Sequence, residues 1–173
     1  MKKIALILMI CMMTITAVGC GSSSDDPSSG SSDQGGQSSS DEKGYTFTYN
    51  DVEIYIDEDA AAVIDGLGDY KDYSESATCA FEGMDKQYFY GSFYVTTGTL
   101  DDREFISGFW FVDDTVETDE GLCIGDDEDK VKQLYGEDGY NGSNAYIYTK
   151  GLCELTIIVE DGSVSSVLYS YKS

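Results

Sequence analysis

The sequence predicts an α+β fold: two tandem repeats, each a short helix packed on a small antiparallel β-sheet. Three observations carry that prediction. The stretches "EIYIDEDAAAVIDGLGDY" (53–70) and "LCIGDDEDKVKQLYGEDGY" (122–140) share one register at an offset of 68 residues, with Ile56 on Ile124, Asp59 on Asp127, Val63 on Val131 and Gly68 on Gly136. Each has an acidic residue before a helical run and a glycine after it, the residue types that start and stop helices. Each is followed by strand-like runs broken at turn dipeptides.

Residues 1–43 are a different kind of sequence. Residues 1–19 read as a secretory signal: Lys2 and Lys3 at the tip, an apolar run from Ile4 to Met13, then small residues to Gly19. At about 1.5 Å of rise per residue that run is too short to cross a hydrocarbon core about 30 Å thick. From Gly21 to Lys43 the chain is Ser, Gly, Asp and Gln, with the only proline, Pro27, and nothing that could seed a core. Residues 20–43 are therefore expected to be a disordered leash, with a mean span of about 25 Å.

Repeat 1 is placed at 44–118 and repeat 2 at 119–173. The segments "YTFTYNDVEIYI" and "TVETDEGLCI" read as strands leading into the two helices, and "EGLCIG" (120–125) as the seam between the halves. In the second helix Val131, Leu134 and Tyr135 fall at i, i+3, i+4 and make one apolar stripe. Three strand-like runs are expected after each helix. In the first repeat they are "SATCAFE" (76–82), "KQYFYGSFYVTT" (86–97) and "EFISGFWFV" (104–112); in the second, "NAYIYTK" (144–150), "CELTIIVE" (153–160) and "SVSSVLYSY" (163–171). The offset of 68 continues through Ala77 on Ala145, Gly83 on Gly151 and Phe89 on Ile157. Ile106 meets Val164 only near 58, which places about ten extra residues around "GTLDDR" in the last hairpin of the first repeat.

Two resemblances follow from these motifs. Ala17-Val18-Gly19 before Cys20 resembles a bacterial lipobox, with Ala17 where leucine is commoner. It implies that Cys20 is diacylated and becomes the N-terminus, anchoring the chain to the membrane, since two acyl chains suffice for stable attachment. The helix pattern I-G-x-x-x-x-x-V-x-x-x-x-G is carried by Ile124, Gly125, Val131 and Gly136, and less completely by Ile56, Val63 and Gly68, with Asp57 in place of the first glycine. In tandem it resembles the β-lactamase inhibitory protein and the SmpA/OmlA type of small bacterial lipoprotein. That likeness implies a fold and a habit of binding proteins on the open face of a sheet; no partner-binding residue transfers.

Charge and composition exclude whole classes. The formal net charge is −23, from 33 Asp and Glu against 10 Lys and Arg, and becomes −25 once Lys2 and Lys3 leave with the signal. Such a chain is repelled by nucleic-acid phosphates, so nucleic acid is not an expected partner. There is no histidine, which removes the commonest general base, the commonest zinc ligand and every Ser/His or Cys/His pair. The acidic clusters at 55–59, 113–121 and 125–130 do not match a calcium loop, and neither metal nor cofactor is expected. Cys79, Cys123 and Cys153 are an odd set in an exported domain: three free thiols is one reading, a Cys123–Cys153 bridge the other.

All 14 Tyr, all 7 Phe and Trp110 lie after residue 43. If Leu155, Ile157 and Val159 face the helix, alternation carried across the offset of 68 sends Phe89 inward and Tyr88, Tyr90 and Tyr94 outward. The same reasoning turns Tyr146 and Tyr148 out, and Trp110 out between inward Phe109 and Phe111. Tyr88, Tyr90, Tyr94, Trp110, Tyr146 and Tyr148 are therefore the candidate ligand-binding face, suited to an extracellular protein or to stacking on a glycan. Aromatic pairs that merely stabilise the sheet are the alternative. The expected function is a non-enzymatic, extracytoplasmic, lipid-anchored binding module. A carboxylate-dependent carbohydrate- or wall-active enzyme and a structural envelope lipoprotein are the alternatives.

Overall fold

The computed structural model describes residues 43–172. The expectations for residues 1–42, including the signal, the lipobox cysteine Cys20 and the leash, lie outside the described residues. The described chain is mostly β, which overturns the fold class read from the sequence: instead of two helix-on-sheet repeats it builds one seven-stranded antiparallel sheet and a separate two-stranded hairpin.

The hairpin pairs β1 (Thr46–Tyr49) with β2 (Val52–Tyr55) around Asn50 and Asp51. Both turn residues have positive φ, 50° and 65°. That backbone matches the twist of a two-residue hairpin, and Asn and Asp tolerate it best after glycine. The segment read as a single strand is thus two.

Helix α1 (Ala60–Leu67) starts at Asp59, whose side chain accepts the Ala62 amide at 3.1 Å. It ends at Gly68, where φ is 75°. Helix α2 (Glu128–Tyr135) follows Asp127, whose side chain makes no capping bond; Glu128 and Asp129 place negative charge in its first turn instead. Both helix starts are tied to the sheet alike. The amides of Asp57 and Ile106 bond the carbonyls of Ile106 and Glu58 at 2.9 Å, and those of Gly125 and Val164 bond Val164 and Asp126 at 2.8 Å. The likeness between the halves is real at these junctions but does not extend to separate sheets.

The sheet runs β3 (Asp72–Ala77), β4 (Glu82–Phe89), β5 (Phe93–Leu100), β6 (Arg103–Phe111), β9 (Ser163–Tyr171), β8 (Cys153–Glu160) and β7 (Ala145–Lys150). The halves join where β6 meets β9, through Gly108–Ser170, Phe109–Tyr169 and Trp110–Leu168. The seam expected at 120–125 is not a strand; it contributes one bridge, Glu117–Cys123. The run expected as a single strand over 86–97 breaks at Gly91 and Ser92, where β4 reverses into β5. The run 76–82 is mostly the loop between β3 and β4. Only part of the extra length lies around "GTLDDR": nine positions separate Thr97 from Ile106, against five from Val159 to Val164. The rest lies upstream, where the first half gains the β3–β4 hairpin.

One face of the sheet holds the core. Phe93, Val95, Phe109, Leu155, Ile157, Val167 and Tyr169 are wholly buried there against Phe47 and Ile54 of the hairpin, Val63 of α1 and Val131 of α2. Tyr169 stacks on Phe109 at 4.2 Å and both are wholly buried, so the joint between the halves lies within the core. The helices and the hairpin cover this face; on the other, Phe81 of the β3–β4 loop packs over Gly98 and Phe105 at one end, and the remainder faces solvent.

Candidate functional site

On antiparallel strands directly paired residues point to the same face. Following the register from strand to strand gives one row across the whole sheet: Asp72, Phe89, Tyr94, Trp110, Leu168, Thr156, Ile147. The row lies opposite the core and, at about 4.8 Å per strand, is about 29 Å long. From Phe89 to Thr156 its members are half-buried; Ile147 is 39% exposed. The neighbouring row is small and polar: Ser74, Gln87, Thr96, Gly108, Ser170, Glu154, Thr149. An aromatic and apolar ridge therefore stands beside a shallow trough, lowest at Gly108. Neither row contains a lysine or arginine, and the acids Asp72 and Glu154 sit towards opposite edges of the sheet.

Within the ridge the rings form a ladder. Phe89 stacks on Tyr94 with centroids 4.5 Å apart and planes 26° apart, and Tyr94 on Trp110 at 4.7 Å and 16°. Tyr94, the middle ring, spends both faces on its neighbours, and Phe89 and Trp110 each spend one.

The six aromatic residues proposed from sequence do not meet on this face. Tyr94 and Trp110 point outward, and Phe89, assigned to the interior, joins them. Tyr90 is buried and stacks on Phe93 at 5.2 Å, with its hydroxyl unpartnered. Tyr88 is half-buried on the helix side, packed on Tyr70 and Tyr73. The cause is the turn at Gly91 and Ser92. A two-residue turn pairs Phe89 with Tyr94, so odd positions of β4 share a face with even positions of β5. Alternation carried straight through 86–97 inverts β4. The "YGSF" quartet was the signal that could have shown it.

Tyr146 and Tyr148 are also inside. They pair with Ile157 and Leu155, both core residues, and so must share their face. Their hydroxyls donate to Glu128 and to the Gly136 carbonyl, both at 2.6 Å, fastening β7 to the two ends of α2. Burial pushes both phenols up to about 12, with Glu128 adding to the effect at Tyr146.

Cys79, Cys123 and Cys153 are free thiols, with no Cys123–Cys153 bridge. Cys153 is buried beneath Gly44, and burial pushes its thiol up to about 11. Cys123 is half-buried and its thiol donates to Asp126 at 3.3 Å; burial and that carboxylate both raise its pKa. Neither is an activated nucleophile. Among the described residues no three Cys, Asp or Glu side chains are grouped to hold a metal ion.

The helix side carries a second feature, a cleft of about 460 Å³ between α1 and the start of β6. Its lining includes Asp59, Ile64, Asp65, Tyr88, Asp102 and Glu104. Glu104 accepts Lys86 at 2.7 Å and Thr97 at 2.6 Å. Burial works against its charged form, but these hydrogen bonds outweigh it and hold the carboxyl below the usual range.

No family model matches this chain, and no curated protein or solved structure matches it either.

Proposed function

We propose that this chain is a lipid-anchored, extracytoplasmic binding module that recognises a protein through the open face of its seven-stranded sheet. One observation carries the reading: the ridge Phe89–Tyr94–Trp110, continued by Leu168, Thr156 and Ile147, with no described element packed over it. Aromatic residues give large rigid contact area with few rotors to freeze, which is why they dominate protein interfaces. Anchoring rests on the lipobox at Cys20.

Ring geometry favours protein over glycan. A sugar stacks on the face of an aromatic ring, and here the faces of Tyr94 are taken by Phe89 and Trp110. Charge narrows the partner. A ridge and trough with acids but no base, on a chain of net charge −23, suit a surface whose apolar centre has a basic rim. A second copy would bring like charges together. The carboxylate-enzyme alternative finds less support, because Glu104 is held ionised by Lys86 and Thr97 and Asp59 is spent capping α1.

The test is a photo-crosslinking side chain placed at Thr156 on the open face, and separately at the exposed Asp129 of α2, in the full chain in its native membrane. The expected result is a discrete protein adduct from position 156 alone, lost with Trp110→Ala and weakened by high salt. Equal adducts from both positions, a self-adduct, or none at all would turn the assignment to a structural envelope role.

A further inference from the structure

The cleft on the helix side combines two features that select the same ligand chemistry. The first is aromatic. Tyr88 lines the cleft and is backed by Tyr70 at 5.3 Å and Tyr73 at 5.0 Å, which meet each other at 5.8 Å. Tyr88 packs on the margin of the core, and Tyr73 and Tyr70, the latter 46% exposed, carry the aromatic surface out to solvent. The second is unspent negative charge. The cleft's own cation, Arg103, is turned onto the carbonyl and carboxylate of Asp57, and the nearby Lys86 onto Glu104. Among the described residues Asp65 and Asp102, both exposed, take no ion pair.

The geometry points to a site for a small organic cation of the quaternary ammonium class, with its charge between Asp65 and Asp102 and its alkyl groups on Tyr88 and Ile64. A π-face favours a cation that sheds water easily. The volume of about 460 Å³ suits a small organic molecule and is far larger than a bare ion needs. The acids are spread around the cleft and do not converge on a point, which argues for a diffuse cation over a coordinated metal. This site is on the side of the sheet away from Trp110 and does not depend on the open-face reading.

Choline is the probe, titrated into the full chain in a maltoside micelle and followed through the backbone amides of Ala61, Ile64 and Asp102. Its neutral carbon isostere, 3,3-dimethylbutanol, and sodium chloride at equal ionic strength are the controls. Expected is a saturable shift confined to the cleft, weakened about tenfold or more for the isostere and for Asp65→Asn combined with Asp102→Asn. These two acids are exposed, so the pair of substitutions leaves the fold intact, and Trp110→Ala should leave choline binding unchanged. Tyr88→Leu, which keeps an apolar side chain and removes the π-face, should weaken choline more than the isostere. The inference is overturned by the absence of a saturable shift at about 20 mM choline, by equal binding of the isostere, or by undiminished binding to the double Asn variant.

Discussion

Tyr94 and Trp110 stack at 4.7 Å with their planes 16° apart, on neighbouring strands and on the side of the sheet away from the helices. Pairs of this kind contribute to sheet stability, but both rings keep solvent contact. Tyr94→Ala or Trp110→Ala should each cost about 1 kcal/mol of unfolding free energy. Phe109→Ala, one position away and wholly buried, should cost about 3–5 kcal/mol. Urea denaturation of the three variants checks this. A Trp110→Ala loss as large as that of Phe109→Ala would mean the ladder serves folding rather than recognition.

Gly108 occupies the low point of the open face at the β6–β9 joint. A Cβ there would lie 2.9 Å from Thr96 Oγ1 and 3.0 Å from the Tyr169 carbonyl oxygen. The hydroxyl can turn away, whereas the carbonyl belongs to the neighbouring strand. Gly108→Ala should therefore destabilise by about 1–3 kcal/mol through overpacking. A thermal melt within error of the parent chain would refute that account of the joint.

In acid, Glu104 and Asp126 should govern the loss of stability. Burial opposes ionisation of both. It is outweighed at Glu104 by hydrogen bonds from Lys86 and Thr97, and at Asp126 by the Cys123 amide, Lys130 and the Cys123 thiol. Their folded pKa values therefore lie below the unfolded values of about 4.3 and 3.9. The stability they contribute is complete above those values and is lost as pH falls through the folded ones. Glu104→Gln should flatten the dependence of the denaturation midpoint on pH in that range; an unchanged slope would assign the effect elsewhere.

In alkali the sign reverses. Tyr90, Tyr146 and Tyr148 hold their phenol protons up to about 12, chiefly through burial. Their contribution is intact below the unfolded value of about 10 and is lost as pH rises through about 12. Phenolate absorbance from these residues should appear together with loss of the β-sheet circular dichroism signal. Complete ionisation of all tyrosines with the sheet retained would contradict their placement.

Thiol reactivity gives an independent check on burial. Alkylation of the native chain mapped by mass spectrometry should proceed in the order Cys79, Cys123, Cys153, from exposed to half-buried to buried. The Cys153 thiol, pushed up to about 11, should react only after denaturation. A native chain in which Cys123 and Cys153 resist alkylation until reduced would restore the bridge alternative.

Local features were legible in the sequence because short-range chemistry decides them. Asp59 before α1 and Gly68 and Gly136 after the helices read directly, as did the inward Leu155, Ile157 and Val159 of β8 and the outward Trp110. Caps, stops and alternation within one strand depend on residues a few positions apart. The tandem register also held where it concerns local backbone, in the matching bonds at Asp57–Ile106 and Gly125–Val164.

Tertiary structure decided how these pieces combine. No local signal says that β6 pairs with β9, because the residues that meet, Phe109 with Tyr169 and Trp110 with Leu168, are about sixty positions apart. Burial of Tyr146 and Tyr148 depended likewise on pairing with β8, and burial of Tyr90 on the reversal at Gly91. A strand's alternation states that its two sides differ. Which side meets the core is set by the register of its neighbours, and a single two-residue turn is enough to exchange them.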